Sequence, residues 1–462
     1  MKLFQMSLIF LMFAVASCDA QSGGAAAGDG ASAGDASALG DASADASTTD
    51  AATDSAADAQ TDAAVTAGDT ASTTGCQPGP ASDAATIAAV VQGNNAFALD
   101  LFGKLSVAAG GGNVFFSPLS ISTALAMTYA GAGTTTATQM AQVLHFTPVS
   151  QDLHPAFGAL ACQLRADGVS ADGGQFDLAN AVFGQKGFSF QQPFMTALAD
   201  DYGAGLQSVD FAGQTEAARL SIDAWVSQQT HGKIPELLKK GSVTPDMTLV
   251  LADALYFEGL WSSPFEPTFT ANGPFTLANQ QMVQVPLMTA TVLAGYAEGA
   301  NFTALELPFK DGHMAMDFVR PTGDLAAFEA ALSASSIQAA LAALKVEQVA
   351  VAIPKFQLDL SLDLIPAMQA LGLTLPFGPQ ADFSGIDGQH DLSIGLLHHE
   401  AVLQVDEAGA TAAAATATGL GGSVMPTPAA TFKANRPFIL LIRDVSSGIL
   451  LFVGHVTNPL GS

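Results

Sequence analysis

The stretch RPFILLIRDVSSGILLFVGHVTNP, residues 436–459, limits the fold more tightly than any other part of the sequence. Its two apolar runs, FILLI and GILLFVGHV, flank a turn at Asp444 to Gly448 and lack the alternating polar residues of a half-exposed strand. A hairpin that is apolar on both faces must be covered on both. The chain therefore has to build layers around it. With 462 residues, 49% hydrophobic and only 12% charged, there is enough apolar material for one large core or two smaller ones.

Not all of the chain contributes to that core. Lys2 precedes the apolar run LFQMSLIFLMFAVAS, which is too short to span a membrane reliably and reads as a secretory leader over residues 1–17. It ends in Val15-Ala16-Ser17-Cys18, which resembles the bacterial lipobox, in which Cys18 becomes the lipid-modified N-terminus. One lipid-modified residue would tether an otherwise soluble protein to the cell envelope or present it extracellularly. From Asp19 to Gly75 the chain is Ala, Asp, Ser, Gly and Thr almost throughout, with ten Asp and no aromatic, Lys or Arg. No core can be built from that, so residues 18–81 are expected to be a solvated, self-repelling tether, and the folded domain is placed at 82–462.

The domain reads as α+β. Ile87, Val90, Val91, Phe97, Leu101 and Leu105 recur at helical spacing after a cap near Ser82 and Asp83. Further helices are expected near Ser221 to Leu238, Leu325 to Leu344 and Leu360 to Leu371. Strand-like runs, FDLANAVFGQ, TLVLADALYFEGLW, VAIPKFQL and HEAVLQVDE, lie among them without strict strand-helix alternation. That arrangement speaks against a doubly wound nucleotide fold.

Charge and motifs exclude several functions. A net charge of −27 argues against nucleic acid as a partner. There is no GxxxxGK, no GxGxxG opening a helix, no HExxH and no GxSxG. His398-His399-Glu400 could suggest a metal, but neighbours in a strand point to opposite faces. A hydrolytic triad of Ser117 or Ser120 with Asp253 and His399 can be drawn, though no nucleophile motif supports it. Neither a metal nor a cofactor is expected, nor an enzyme.

The blocks NVFFSPLSISTALAMTYAGAGTTTATQM, TLVLADALYFEGLWSSPF, IPKF at 353–356, ADFSGI at 381–386 and FKANRPFILLIRD at 432–444 resemble, in order, the serpin family of serine protease inhibitors. The resemblance runs from about Asn94 to Pro459. It implies three β-sheets, eight or nine helices, and an exposed reactive-centre loop at about 407–431. It also implies a function: a target protease cleaves the loop, forms an acyl-enzyme with it, and is trapped when the loop inserts into the central sheet as a new strand.

That reading gives VDEAGATAAAATATGLGGSVMP, residues 405–426, a physical purpose. Each side chain entering between two paired strands must fit a gap that opens only transiently. The hinge is Glu407, Gly409, Ala410, Thr411, Ala412, Ala413, Ala414 and Ala415; from Gly409 to Thr418 nothing is larger than Thr, and alternation puts Ala410, Ala412, Ala414 and Thr416 on one face. Ala410 stands where many inhibitors of the family carry Thr or Ser. The rival readings are an Ala-rich linker and a non-inhibitory serpin, a chaperone or binding module that proteases merely cleave. The family's count of seventeen residues from Glu407 ends on Ser423, so the scissile bond is expected at Ser423-Val424, with Met425 as the alternative. Small bait residues, with no basic residue between Glu407 and Lys433, suit an elastase-like or subtilisin-like serine protease. The protein is expected to act as a monomer.

By the same resemblance, Trp261, Lys355 and Glu407 would meet where the loop enters the sheet. Ser120, Asp253 and His399 would form a polar cluster under the sheet centre. Asp253 stands where the family usually has Asn, and a buried carboxylate beside His399 would favour imidazolium and make opening pH-sensitive. Cys76 and Cys162 could pair in an envelope location or remain thiols.

Overall fold

The computed structural model describes residues 4–12, 82–146, 152–168, 175–310, 312–410 and 427–461. The chain divides into one unit comprising residues 78–462 together with 1–18, and a second comprising 19–77. The second unit, and with it the expected tether, lies outside the described residues.

One sheet contains β11 (Phe356–Asp363), β12 (Leu392–Val405), β5 (Met247–Leu260), β3 (Gln175–Gln185) and β4 (Gly205–Val209). Between β12 and β5 lie two further strands, the short β13 (Gly409–Ala410) and β1 (Phe4–Met12). A second, nine-stranded ladder runs β14 (Ala430–Lys433), β10 (Lys345–Pro354), β7 (Met282–Glu298), β8 (Phe302–Pro308), β9 (Met314–Pro321), β15 (Phe438–Asp444), β16 (Leu450–Val456) and β2 (Val114–Phe116), with β6 (Ala271–Thr276) also on β7. The long β7 joins its two parts. Its first portion pairs with β6 and β10, and its last four residues pair with β8, so the three expected sheets appear as one separate sheet and two that share a strand.

Every residue of β15 and β16 is buried, as the two-faced apolar pattern requires. At their turn the Asp444 carboxylate accepts from the Ser447 amide and from the hydroxyls of Ser446 and Ser447. Helix α1 (Ala84–Ala109) lies against the hairpin, where Asn94 donates to the Leu450 carbonyl at 3.1 Å.

The other helices are α2 (Pro118–Tyr129), α3 (Thr134–Val143), α4 (Leu153–Gly168), α5 (Gln192–Tyr202), α6 (Thr215–Gln229), α7 (Leu325–Glu329), α8 (Ala334–Ala342), α9 (Ile365–Ala370) and α10 (Ser384–Asp387). The described residues thus hold ten α-helices, against the eight or nine expected, and three of the ten are pieces of four to six residues. The single helix expected over 325–344 is two, because Ser333 and Ser336 cap each other's backbone and start a new helix. The helix expected over 360–371 is reduced to α9, since β11 continues to Asp363. That expected over 221–238 begins earlier and stops at Gln229, before Gly232 and Pro235.

The first sheet is covered on both faces. One side carries the main core, with Leu251, Leu255 and Phe257 packed among residues of α1, α2 and the second ladder. On the other, Phe183, Val250 and Tyr256 pack against Ile222 and Val226 of α6. Strands β5 and β12 do not pair directly with each other. Strand β1 runs parallel to both, with Ile9 opposite Ala252 and His398. A strand bordered by two unpaired edges satisfies both rows of backbone groups at once, which is why this position can accept an added segment. It is also the position an inserting loop would need.

Candidate functional site

The site is built where β5 ends. Its last residues, Gly259 and Leu260, pair with Ala410 and Gly409 of β13, while Val405 at the end of β12 pairs with Ala410 from the other side. The first two hinge residues are therefore already strand between β5 and β12, and both are buried. Gly409 has to be glycine: a Cβ there would lie 2.1 Å from the Gly259 carbonyl oxygen and 2.8 Å from the Leu260 Cα, both backbone atoms that cannot swing aside.

Residues 406–409 form a tight turn before that entry. The Asp406 amide donates to the Gly409 carbonyl at 3.0 Å, and the Asp406 carboxylate accepts from the Ala408 and Gly409 amides. The turn is tied to the segment after β5. Trp261 donates its amide to the Ala408 carbonyl and its indole Nε1 to the Asp406 carbonyl, both at 2.9 Å, and Phe265 donates to the Glu407 carbonyl at 2.8 Å. Trp261 is buried and stacked on Phe309, with centroids 5.0 Å apart and planes 8° apart. Its indole thus fixes the turn from a rigid base.

Glu407 is held on both carboxylate oxygens, accepting from Lys355 Nζ at 2.8 Å and from the Thr270 hydroxyl at 2.8 Å. Burial pushes its pKa upward, but the Lys355 and Thr270 hydrogen bonds prevail and leave it below the ordinary carboxylate value. Asp406 goes the other way: burial raises it despite the two amide donors. Lys355 is 41% exposed and Glu407 14%, so the pair is screened on one side and serves better as a positioning clamp than as a stability source. The three residues expected to meet here do meet. The sequence reading did not find Asp406 and Thr270, although an Asp two residues before a small residue is a turn signal.

Deeper in the sheet, His399 on β12 is fully buried beneath α2. Its Nε2 accepts from the Ser117 amide at 3.1 Å, and the Ser117 side chain in turn caps α2 by accepting from the Ser120 amide at 3.2 Å. Nε2 must be unprotonated to accept, so the ring is neutral. Burial, followed by repulsion from His398, moves its pKa down to about 3. These groups do not favour the imidazolium that was expected. The Asp253 side chain lies outside the described residues, so its part in that expectation stands apart from this finding.

The same geometry disposes of the triad. A buried Nε2 already bonded to a backbone amide cannot take a proton from a serine hydroxyl. His398 and Glu400 point to the opposite face from His399, where His398 Nε2 lies 2.8 Å from the Ser361 hydroxyl, and no group of metal-ligating side chains forms among the described residues. Thr411 to Ala415, Ser423, Val424 and Met425 lie outside the described residues, as does Cys18. Cys162 on α4 is in a disulfide. The remaining cysteines, Cys18 and Cys76, lie outside the described residues.

Comparison with known proteins agrees with this geometry over nearly the whole domain. The family model described as "Serpin (serine protease inhibitor)" matches residues 92–459. The chain is 37% identical over 378 residues to leukocyte elastase inhibitor A of Rattus norvegicus, covering 79% of this chain and 98% of that protein. It is 35% identical over 378 residues to antithrombin-III of Mus musculus, covering 79% of this chain and 81% of that protein. Among solved structures, uncleaved ovalbumin superposes with a TM-score of 0.71 at 26% identity, covering 81% of this chain and 100% of that one. Thyroxine-binding globulin with thyroxine superposes at 0.70 and 28% identity, covering 81% and 99%.

Proposed function

Because the chain belongs to the serpin family, we propose that it is a suicide inhibitor of serine endopeptidases, not an enzyme, and that it traps its target by inserting the cleaved loop between β5 and β12 as a continuation of β13. One observation carries this reading. Gly409 and Ala410 already sit as strand between β5 and β12, and the sequence beyond them to Thr418 contains only Ala and Thr. Extension of β13 would therefore bring small side chains into the sheet one after another.

The bait is Ser423-Val424, with Met425 as the alternative, and the target is an elastase-like or subtilisin-like protease. Two facts support that choice: the bait region lacks a basic residue, and a relative 37% identical is a leukocyte elastase inhibitor. Incubation with the protein should abolish elastase activity in a time-dependent manner, with no recovery on dilution, and should leave a trypsin-type protease active. Full recovery of elastase on dilution would refute irreversible trapping.

The protein works as a monomer of bacterial origin, exported and held outside the membrane by a lipid on Cys18. The leader and lipobox-like sequence at residues 1–18 support this. Removal of residues 1–17 would also take β1 out of the sheet and free the position for the loop. Labelled fatty acid should be incorporated by the bacterial protein and not by Cys18→Ser. Equal labelling of the two would rule out Cys18 as the anchor.

A further inference from the structure

Among the described residues, Arg219 and Arg443 each bond carboxylates directly. Arg320 and Arg436 do not. Arg320, at the end of β9, donates Nη1 to the Lys433 carbonyl at 2.8 Å, and Arg436 donates Nη1 to the Thr322 carbonyl at 3.0 Å. Backbone carbonyls thus hold two guanidiniums near each other with no carboxylate bonded to either, although Glu298 is close enough to act on Arg320. Arg320 lies against the Phe432 ring, 5.7 Å from its centroid, and its Nε is buried with no hydrogen-bond partner. Its pKa is lowered, first by burial and then by Arg436, against weaker opposing effects from Tyr296 and Glu298.

Keeping like charges together and leaving a donor unpaired costs free energy. In a chain with 15 Lys and Arg against 42 Asp and Glu, a carboxylate partner would be easy to supply. Arg436, but not Arg320, lines a cavity of about 320 Å³ together with Asn435, Thr276, Gln280 and Asp324. The Thr276 amide donates to the Asn435 carbonyl at 2.9 Å, which fixes the β6–β7 turn against the β14–β15 link and gives the cavity a built wall. The one carboxylate in that wall, Asp324, is engaged elsewhere, capping α7 by accepting from the Ala327 amide at 2.8 Å.

We propose that this cavity binds a small oxyanion, of carboxylate or phosphate type, through Arg436 with Arg320 behind it. Planar guanidiniums suit both kinds of oxygen pair. The site lies on the second ladder, away from β5, β12 and the hinge, so its occupant would be bound independently of loop insertion.

The test is calorimetric titration of the whole protein at constant ionic strength, with inorganic phosphate in one arm and citrate in the other. Saturable binding in either arm is expected, weakened at least about tenfold by Arg436→Gln and by Arg320→Gln. The arm with the tighter binding identifies the oxyanion. Asp324→Asn retains the helix cap and removes a negative charge from the wall, so it should tighten binding. Retained elastase inhibition shows each variant to be folded. If one arginine variant fails to fold, the other and Asp324→Asn still decide. No saturable heat in either arm, or equal affinity in wild type and variants, would overturn the proposal.

Discussion

Replacing Ala414 by Glu should turn the inhibitor into a substrate, raising the number of inhibitor molecules consumed per protease trapped by more than about tenfold. Ala410 is completely buried between Gly259 and Val405, and strand alternation places Ala412 and Ala414 on the same face once the loop has entered. A carboxylate carried into that slot has no partner and costs several kcal/mol, where each 1.4 kcal/mol is about tenfold in a competition. Insertion slows while deacylation of the protease does not. Titration of elastase against wild type, Ala414→Glu and Ala414→Ser checks the claim, because serine is small enough to enter the slot and carries no charge. Equal stoichiometry for all three would mean that loop insertion does not govern the outcome.

The second large effect is expected from acid. His399 is neutral in the fold, with its pKa down at about 3 against an ordinary 6.5. A depressed folded-state value means that the unfolded chain binds the proton more readily. The contribution to stability is therefore complete above pH 6.5 and is lost as pH falls from 6.5 toward 3. At pH 4 that amounts to about 3 kcal/mol, and the site of the loss is the join between β12 and α2, where the Ser117 amide would lose its acceptor. Urea unfolding at pH 7 and pH 4 measures it, with His399→Gln as the control that supplies an uncharged acceptor. The wild type should lose about 3 kcal/mol more than the variant over this interval. Identical losses would place the acid sensitivity in other groups.

Much of this was legible in the sequence where local pattern and physical need coincide. The hairpin at 438–456 announced its burial because FILLI has no polar residue and GILLFVGHV has only His455. The clamp of Trp261, Lys355 and Glu407 followed from family likeness, since no spacing rule brings residues so far apart in the chain together. What was not legible depended on contacts that only the fold creates. Gly409 looks like any glycine until the Gly259 carbonyl stands 2.1 Å from where its Cβ would be. The break at Ser333 was hidden in an Ala-rich stretch of continuous helical periodicity, although the paired serines that cap it were in view. A triad of Ser117 or Ser120 with Asp253 and His399 could be drawn from the sequence, and the direction of one hydrogen bond, from the Ser117 amide to Nε2, decided against it.

The central claim is that cleavage and trapping are one event. Its most direct test is to mix the protein with elastase and run denaturing gels, reading the cut by mass. The account predicts a protease–inhibitor species that survives denaturation, together with a released C-terminal peptide beginning at Val424. Complete cleavage of the loop with no such species would contradict it.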